Sequence, residues 1–232
     1  MKRVVLTAMF LAWLPVYAQP KPPDKPVTAT AARDASGGTI LFHNNSGRTV
    51  TALEYIYTMR NPDLTVVYAA TAYYDSAIDP RSQPPIQPGQ EVRVPYRIPF
   101  AGATPMVGAE AGLFSDGTTF GEPHVVLTIR ERRGYTLVSF GKSIADLNEA
   151  AKDGLSRQEL ITLFQNSLMT EASSAGDSEL VACIQTVRSQ VLANLISARR
   201  PDGTPLPVPE LIQSQIDALN QRRELLRNAM SK

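Results

Sequence analysis

The sequence predicts an α+β fold, with an N-terminal antiparallel β-sandwich followed by a C-terminal α-helical region. Two patterns carry the prediction. From Val27 to about Phe140, strand-forming residues alternate with turn clusters and no helix intervenes. After about Lys142 the apolar period changes from two to near 3.6, and prolines vanish for long stretches. The 232 residues are 43% apolar and 19% charged, an ordinary globular composition able to bury a core.

Four segments follow in order. Residues 1–18 read as a secretory signal peptide: Lys2 and Arg3 precede an apolar stretch from Val4 to Val16, and Val16-Tyr17-Ala18 offers a cleavage site after Ala18. That stretch, interrupted by Pro15, falls short of the roughly twenty residues a membrane span needs. The protein is therefore expected outside the cytoplasm, periplasmic or secreted, with no membrane span in the mature chain. Residues 19–26, with Pro20, Pro22, Pro23 and Pro26, read as an extended tether.

Residues 27–140 form the predicted sandwich. Its turns fall at Ser36-Gly37-Gly38, Asn44-Asn45-Ser46-Gly47, Asn61-Pro62-Asp63, Gln87-Pro88-Gly89 and Ser115-Asp116-Gly117. The clearest strand runs from Glu91 to Ile98, where Val92, Val94, Tyr96 and Ile98 alternate with Glu91, Arg93, Pro95 and Arg97. Pro95 cannot donate to a ladder and so marks an edge strand or a bulge. Further strands are expected over Gly38–Asn44, Val50–Met59, Leu64–Tyr74, Val107–Phe114 and His124–Arg132. A parallel sheet would need crossover helices that this half lacks.

Residues 141–232 form the predicted helical region. Ser143 with Asp146 can open a short helix ending at Gly154, and Ser156 with Glu159 makes a capping box for the next. A third helix, from about Ser178 to Arg199, aligns Leu180, Ile184, Val187, Val191 and Leu195. Pro201 to Pro207 ends it, and Pro209 suits the first turn of a fourth helix that carries Ile212, Ile216, Leu219 and Leu226. The last two are expected to pair antiparallel.

The chemistry is mostly exclusions. Loss of Lys2 and Arg3 takes the 23 basic residues to 21 against 22 acidic ones, so no overall field gathers nucleic acid. The single cysteine, Cys183, permits no intrachain disulfide and falls on an apolar helical stripe as a small buried hydrophobe. His43 and His124 are the only histidines and read as surface strand residues rather than triad bases. No phosphate-binding loop, nucleophile elbow or zinc motif occurs, and no cofactor or metal is expected. Acid–base candidates are Asp75 with Asp79, Asp116 with Glu122, and Glu54, although the first pair also suits turns around Pro80. Residues 115–121 could offer oxygen ligands to calcium but lack a calcium loop's acidic repetition. Arginines cluster at Arg130, Arg132 and Arg133, at Arg199 and Arg200, and at Arg222, Arg223 and Arg227; only convergence in the fold would make them an anion site. Asn44-Asn45-Ser46 is either a glycosylation acceptor or a turn.

Tyrosines suggest a binding surface. Leu53, Tyr55, Tyr57 and Met59 share a strand face, with Tyr73 nearby, so Tyr55, Tyr57 and Tyr73 are the candidate partner-binding residues; a sandwich core is the competing use of the same side chains.

The run Gly38-Thr-Ile-Leu-Phe-His-Asn-Asn-Ser-Gly47, then Val50-Thr-Ala-Leu53 and Gln87-Pro-Gly-Gln-Glu-Val-Arg-Val94, resembles the strand pattern of secreted bacterial immunoglobulin-like domains of the FxLYD type. The resemblance spans roughly Val27 to Arg133 and implies an immunoglobulin-like sandwich that binds rather than catalyses. Where that family carries an aromatic–aspartate signature this chain has Tyr74-Asp75, and the helical third has no counterpart. The functional expectation is a non-enzymatic interaction or scaffolding module of the cell envelope. Its partners would be a protein or other envelope component, with homo-oligomerisation through the C-terminal helices. A carboxylate-based glycan hydrolase and an assembly factor acting through an edge strand are the alternatives.

Overall fold

A computed structural model describes residues 25–34, 37–79, 82–96, 102–174 and 178–232. The expected signal peptide, its cleavage after Ala18 and nearly all of the tether lie outside these residues, as does Ile98. Among the described residues, seven strands in two antiparallel sheets precede four helices, an α+β architecture.

Sheet A has the order β1–β2–β5, from Val27–Asp34, Gly37–Asn44 and Glu91–Tyr96. Sheet B has the order β4–β3–β6–β7, from Val66–Asp75, Val50–Arg60, Thr104–Phe114 and Thr119–Gly121. Period-two alternation decides which side chains meet between the sheets. Ile40, Phe42, Val92 and Val94 of sheet A share one core with Leu53, Tyr55, Tyr74 and Phe114 of sheet B. Phe42 sits edge-on to Tyr55, with ring centroids 4.9 Å apart.

The other face of sheet B packs on a helix, and here the structure corrects the sequence. His124–Arg132, expected as a strand, is the start of α1, Pro123–Lys152, so the helical part begins at residue 123 rather than 141. The β-branched run Val125-Val126-Leu127-Thr128-Ile129 mimics a strand. Tertiary burial overrides that propensity, because Val126 and Ile129 pack against Ala52, Ala111 and Leu113 of sheet B. Pro123 stands in the first turn, and buried Val126, Ile129, Arg133, Thr136 and Phe140 recur every three or four residues. Ser143, expected as a cap, is instead buried in mid-helix, and Asp146 pairs with Arg188 at 2.9 Å.

α1 ends as a Schellman motif. Gly154 takes φ +65°, and the Leu155 amide returns to the Ala150 carbonyl at 3.1 Å. The capping box opens α2, Arg157–Ser174: the Ser156 amide donates to Glu159 Oε2 at 2.7 Å and the Glu159 amide to Ser156 Oγ at 3.4 Å. Next come α3, Ser178–Ser197, and α4, Val208–Met230. Asn194 to Gln215 (3.0 Å) and Arg222 to Gln190 (2.7 Å) run in opposite residue order, so α3 and α4 are antiparallel. Phe140 and Leu147 of α1, Leu160 and Phe164 of α2, Val187 and Val191 of α3, and Leu211 and Leu219 of α4 fill one core.

A buried ion pair joins the two parts. Arg133 Nε donates to Asp75 Oδ2 at 2.8 Å and Nη2 to Oδ1 at 3.1 Å, with side-chain exposures of 3% and 7%. The same guanidinium reaches the Ala229 carbonyl and Thr51 Oγ1, both at 3.4 Å. Asp75 Oδ1 also accepts the Ala77 amide at 2.9 Å. One residue of α1 thereby ties β3, the end of β4 and the end of α4.

Candidate functional site

The outer face of sheet B has two halves. Over the half that carries Ala52, Glu54, Tyr73 and Ala111, α1 forms a roof, with the start of α3 beside it. The other half carries Ile56, Val67 and Met106, and no described helix covers it: these side chains are 37%, 36% and 52% exposed.

Under the roof lies a polar cluster. Glu54 sits opposite Tyr73 across the β3–β4 ladder, and the Tyr73 hydroxyl hydrogen-bonds the Glu54 carboxyl group. The Arg132 guanidinium stacks 3.7 Å from the centre of the Tyr73 ring and pairs with Glu179 of α3. Burial raises the Glu54 pKa above its ordinary 4.5; the Tyr73 hydrogen bond, Arg132 and His124 oppose the rise, while Glu179 adds to it. Tyr73 is pushed up to about 12, first by burial and then by Glu54. Glu54 Oε2 is buried without a hydrogen-bond partner among the described residues. Beside the cluster is a cavity of about 150 Å³, lined by Tyr73, Asp75, Asp79, Gln83, Arg132 and Gln190 among others; Glu54 does not line it.

The three tyrosines proposed as one surface are not brought together. Tyr55 is 6% exposed in the core between the sheets. Tyr57 points the same way, its hydroxyl 3.2 Å from that of Tyr68 and its ring 5.9 Å from Tyr96. Tyr73 lies on the opposite face, under Arg132. The β3–β4 register sets Tyr73 opposite Glu54 and Tyr74 opposite Leu53, so Tyr73 shares the face of Glu54 and not that of Tyr55 and Tyr57.

The other candidates resolve into structural roles. Asp75 is the ion-pair carboxylate described above, and Asp79 accepts the Ser82 amide at 3.4 Å. Asp116 accepts the Thr118 amide at 3.0 Å in a turn, and Glu122 is the exposed residue before α1. Arg200 pairs with Glu210, Arg227 with Glu224, and Arg222 donates to the Ile78 carbonyl beneath Phe140. Asn44 is fully buried and its amide donates to the Arg48 and Ile86 carbonyls at 2.7 and 2.9 Å, so it is a turn anchor and not a glycosylation acceptor. Cys183 is buried, as its helical spacing predicts. His43 is half-buried on β2, and His124 is exposed on α1 rather than on a strand. Among the described residues no group of acidic, histidine or cysteine side chains could hold a metal.

A feature the sequence reading passed over is the edge of sheet B. An edge strand offers unpaired amides and carbonyls to any extended chain, and proteins blunt such edges with charge, proline, shortness or cover. Three of the four edges here are blunted. β5 carries Pro95 with Glu91 and Arg93; β7 has three residues; β1 carries Arg33 and packs against β6. β4 is ten residues long, pairs among the described residues with β3 alone, and from Val66 to Tyr74 contains no charge, proline or glycine. Val66, Val67, Ala69 and Thr71 along it are exposed. The signal was present as an uncharged run from Leu64 to Tyr74, but edge position is a property of topology.

No protein-family model, curated protein or solved structure matches the chain.

Proposed function

We propose that the chain is a non-enzymatic interaction module of the cell envelope, whose two sheets form an immunoglobulin-like sandwich and whose binding element is the free edge of β4. The signal-like N-terminus supports the address. One observation carries the activity: the only long edge among the described strands that no device protects is Val66–Asp75, and it adjoins the bare half-face of Ile56, Val67 and Met106. Addition of an extended segment there would complete the ladder, the main chain supplying affinity and alternate side chains selectivity. The reading is scaffolding, because Asp75 is engaged in an ion pair, Asp79 and Asp116 in turns, Glu122 is exposed at a helix start, and Glu54 stands apart from the cavity.

Twelve-residue peptides with alternating apolar and polar side chains, titrated against the purified protein by fluorescence anisotropy, test this. Binding that is lost in Ala69→Lys/Thr71→Lys is expected, since both positions are exposed and outside the core. Equal binding by that variant, or no binding by any peptide at protein concentrations where the chain sediments as a monomer, overturns the proposal.

A further inference from the structure

We infer that the strand completing sheet B is β4 of a second copy of this chain, paired antiparallel about a two-fold axis through Ala70. The inference rests on the proposed use of the β4 edge and names its partner.

The argument starts from parity. Continuing one sheet across a two-fold axis places core-facing residues opposite core-facing residues, so partner positions must sum to an even number. Centring on Ala70 sets Ala69 opposite Thr71 and Tyr68 opposite Ala72, and a bulge at Val67, where Met59 pairs with Tyr68 but Arg60 with Val66, brings Val66 and Val67 together to the Tyr73–Tyr74 end. Every aromatic ring then faces a small or β-branched side chain, a favourable cross-strand combination. Moving the centre to Thr71 would set Val67 against Asp75, whose carboxylate is already committed to Arg133. Charge also permits a self-pair: from Val66 to Tyr74 the strand has none, so two copies oppose no like charges.

The bare half-face fits the same partner. A stable dimer buries about 800 Å² on each side. A strand pair about 30 Å long, at roughly 3.3 Å per residue, is a narrow strip and falls short alone. In this register Val67 of one copy lies next to Tyr73 of the other, over which Arg132 and Glu179 stand. Each copy thus brings the ridge at its roofed end beside the end its partner leaves open, and Val67, Ile56 and Met106 are drawn into the contact twice by symmetry. The helices are the competing interface, but their apolar stripes are already spent on one another in a single core.

Sedimentation equilibrium of the purified full chain tests the inference. At about 10 to 100 μM the protein is expected at twice its monomer mass. Ala69→Lys/Thr71→Lys sets lysines directly opposite one another on both sides of the axis and is expected to weaken the dimer at least tenfold, with circular dichroism unchanged. In a Cys183→Ala background, Ala70→Cys is expected to form a disulfide-linked dimer under mild oxidation, because residues on the axis face each other. A monomer across the range overturns the inference, and peptide binding at the edge would then still stand as a separate result. A dimer that the lysines do not weaken also overturns it and returns the interface to the helices.

Discussion

Replacing Asp75 with alanine isolates the joint between sheet and bundle. The carboxylate accepts two charge-assisted bonds from Arg133, at 2.8 and 3.1 Å, in a site where the guanidinium is 3% exposed. Its loss leaves Arg133, among the described residues, with two 3.4 Å contacts, to Ala229 and Thr51. Stranding one partner of a buried pair costs about 3 to 5 kcal/mol, because the remaining charge stays desolvated. For a chain of this size, each kcal/mol moves the midpoint by about 2 to 4 °C, so the melting temperature should fall by roughly 6 to 20 °C. Asp75→Ala/Arg133→Met removes both charges and keeps most of the arginine's apolar stem volume. It should lie well above the sum of the two single losses, with a coupling of at least about 2 kcal/mol. Urea denaturation followed by circular dichroism measures all four corners of the cycle. A loss below about 1 kcal/mol in Asp75→Ala, or additive single losses, would refute the assignment of this pair as the joint.

Two further expectations concern single side chains. Burial raises the Glu54 pKa, so the folded state holds that proton more tightly than the unfolded one; the stability this contributes is present below the ordinary 4.5 and is lost as pH rises through the folded value. Glu54→Gln should therefore raise the denaturation midpoint near pH 7 and change it little near pH 4; an unchanged pH profile contradicts the burial argument. Glycine substitutions should split by position. Gly121 has φ +87°, and a Cβ there would lie 2.1 Å from the Glu110 carbonyl oxygen, so Gly121→Ala should cost at least about 2 kcal/mol. Gly134 sits in mid-α1 with nothing within 4 Å of an added Cβ, so Gly134→Ala should gain about 0.5 to 1 kcal/mol in the same urea titration.

Much of the architecture was legible where one physical signal acted alone. The alternation of Val92, Val94 and Tyr96 placed β5 and its inward face, and Pro95 marked its edge position. The hydroxyl and carboxylate of Ser156 and Glu159 located the start of α2. The start of α1 was not legible, because Val125, Val126 and Ile129 have strand propensity and their helical use depends on Ala52, Ala111 and Leu113, more than ten positions away in sequence. The tyrosines failed for a related reason. Sequence proximity suggested one surface for Tyr55, Tyr57 and Tyr73, whereas the hairpin puts Tyr73 opposite Glu54 and sends its ring to the other side of the sheet. Glu54 was visible as a carboxylate on a tyrosine-bearing strand, but its neighbours Arg132 and Glu179 come from helices that only the fold brings near.

The length of α1 also bears on the order in which the chain acquires its shape. Its 30 residues make a rod of about 45 Å, of which the first turns lie on sheet B and the last turns in the helical core. Isolated helical turns are marginal in water, so the segment around Val126 and Ile129 has no reason to hold until the sheet exists. The strands precede α1 in the chain and pair with one another, so sheet B can form without it. The finished sheet then serves as the template on which α1 is laid down, and the free end of that helix becomes the post around which α2, α3 and α4 assemble.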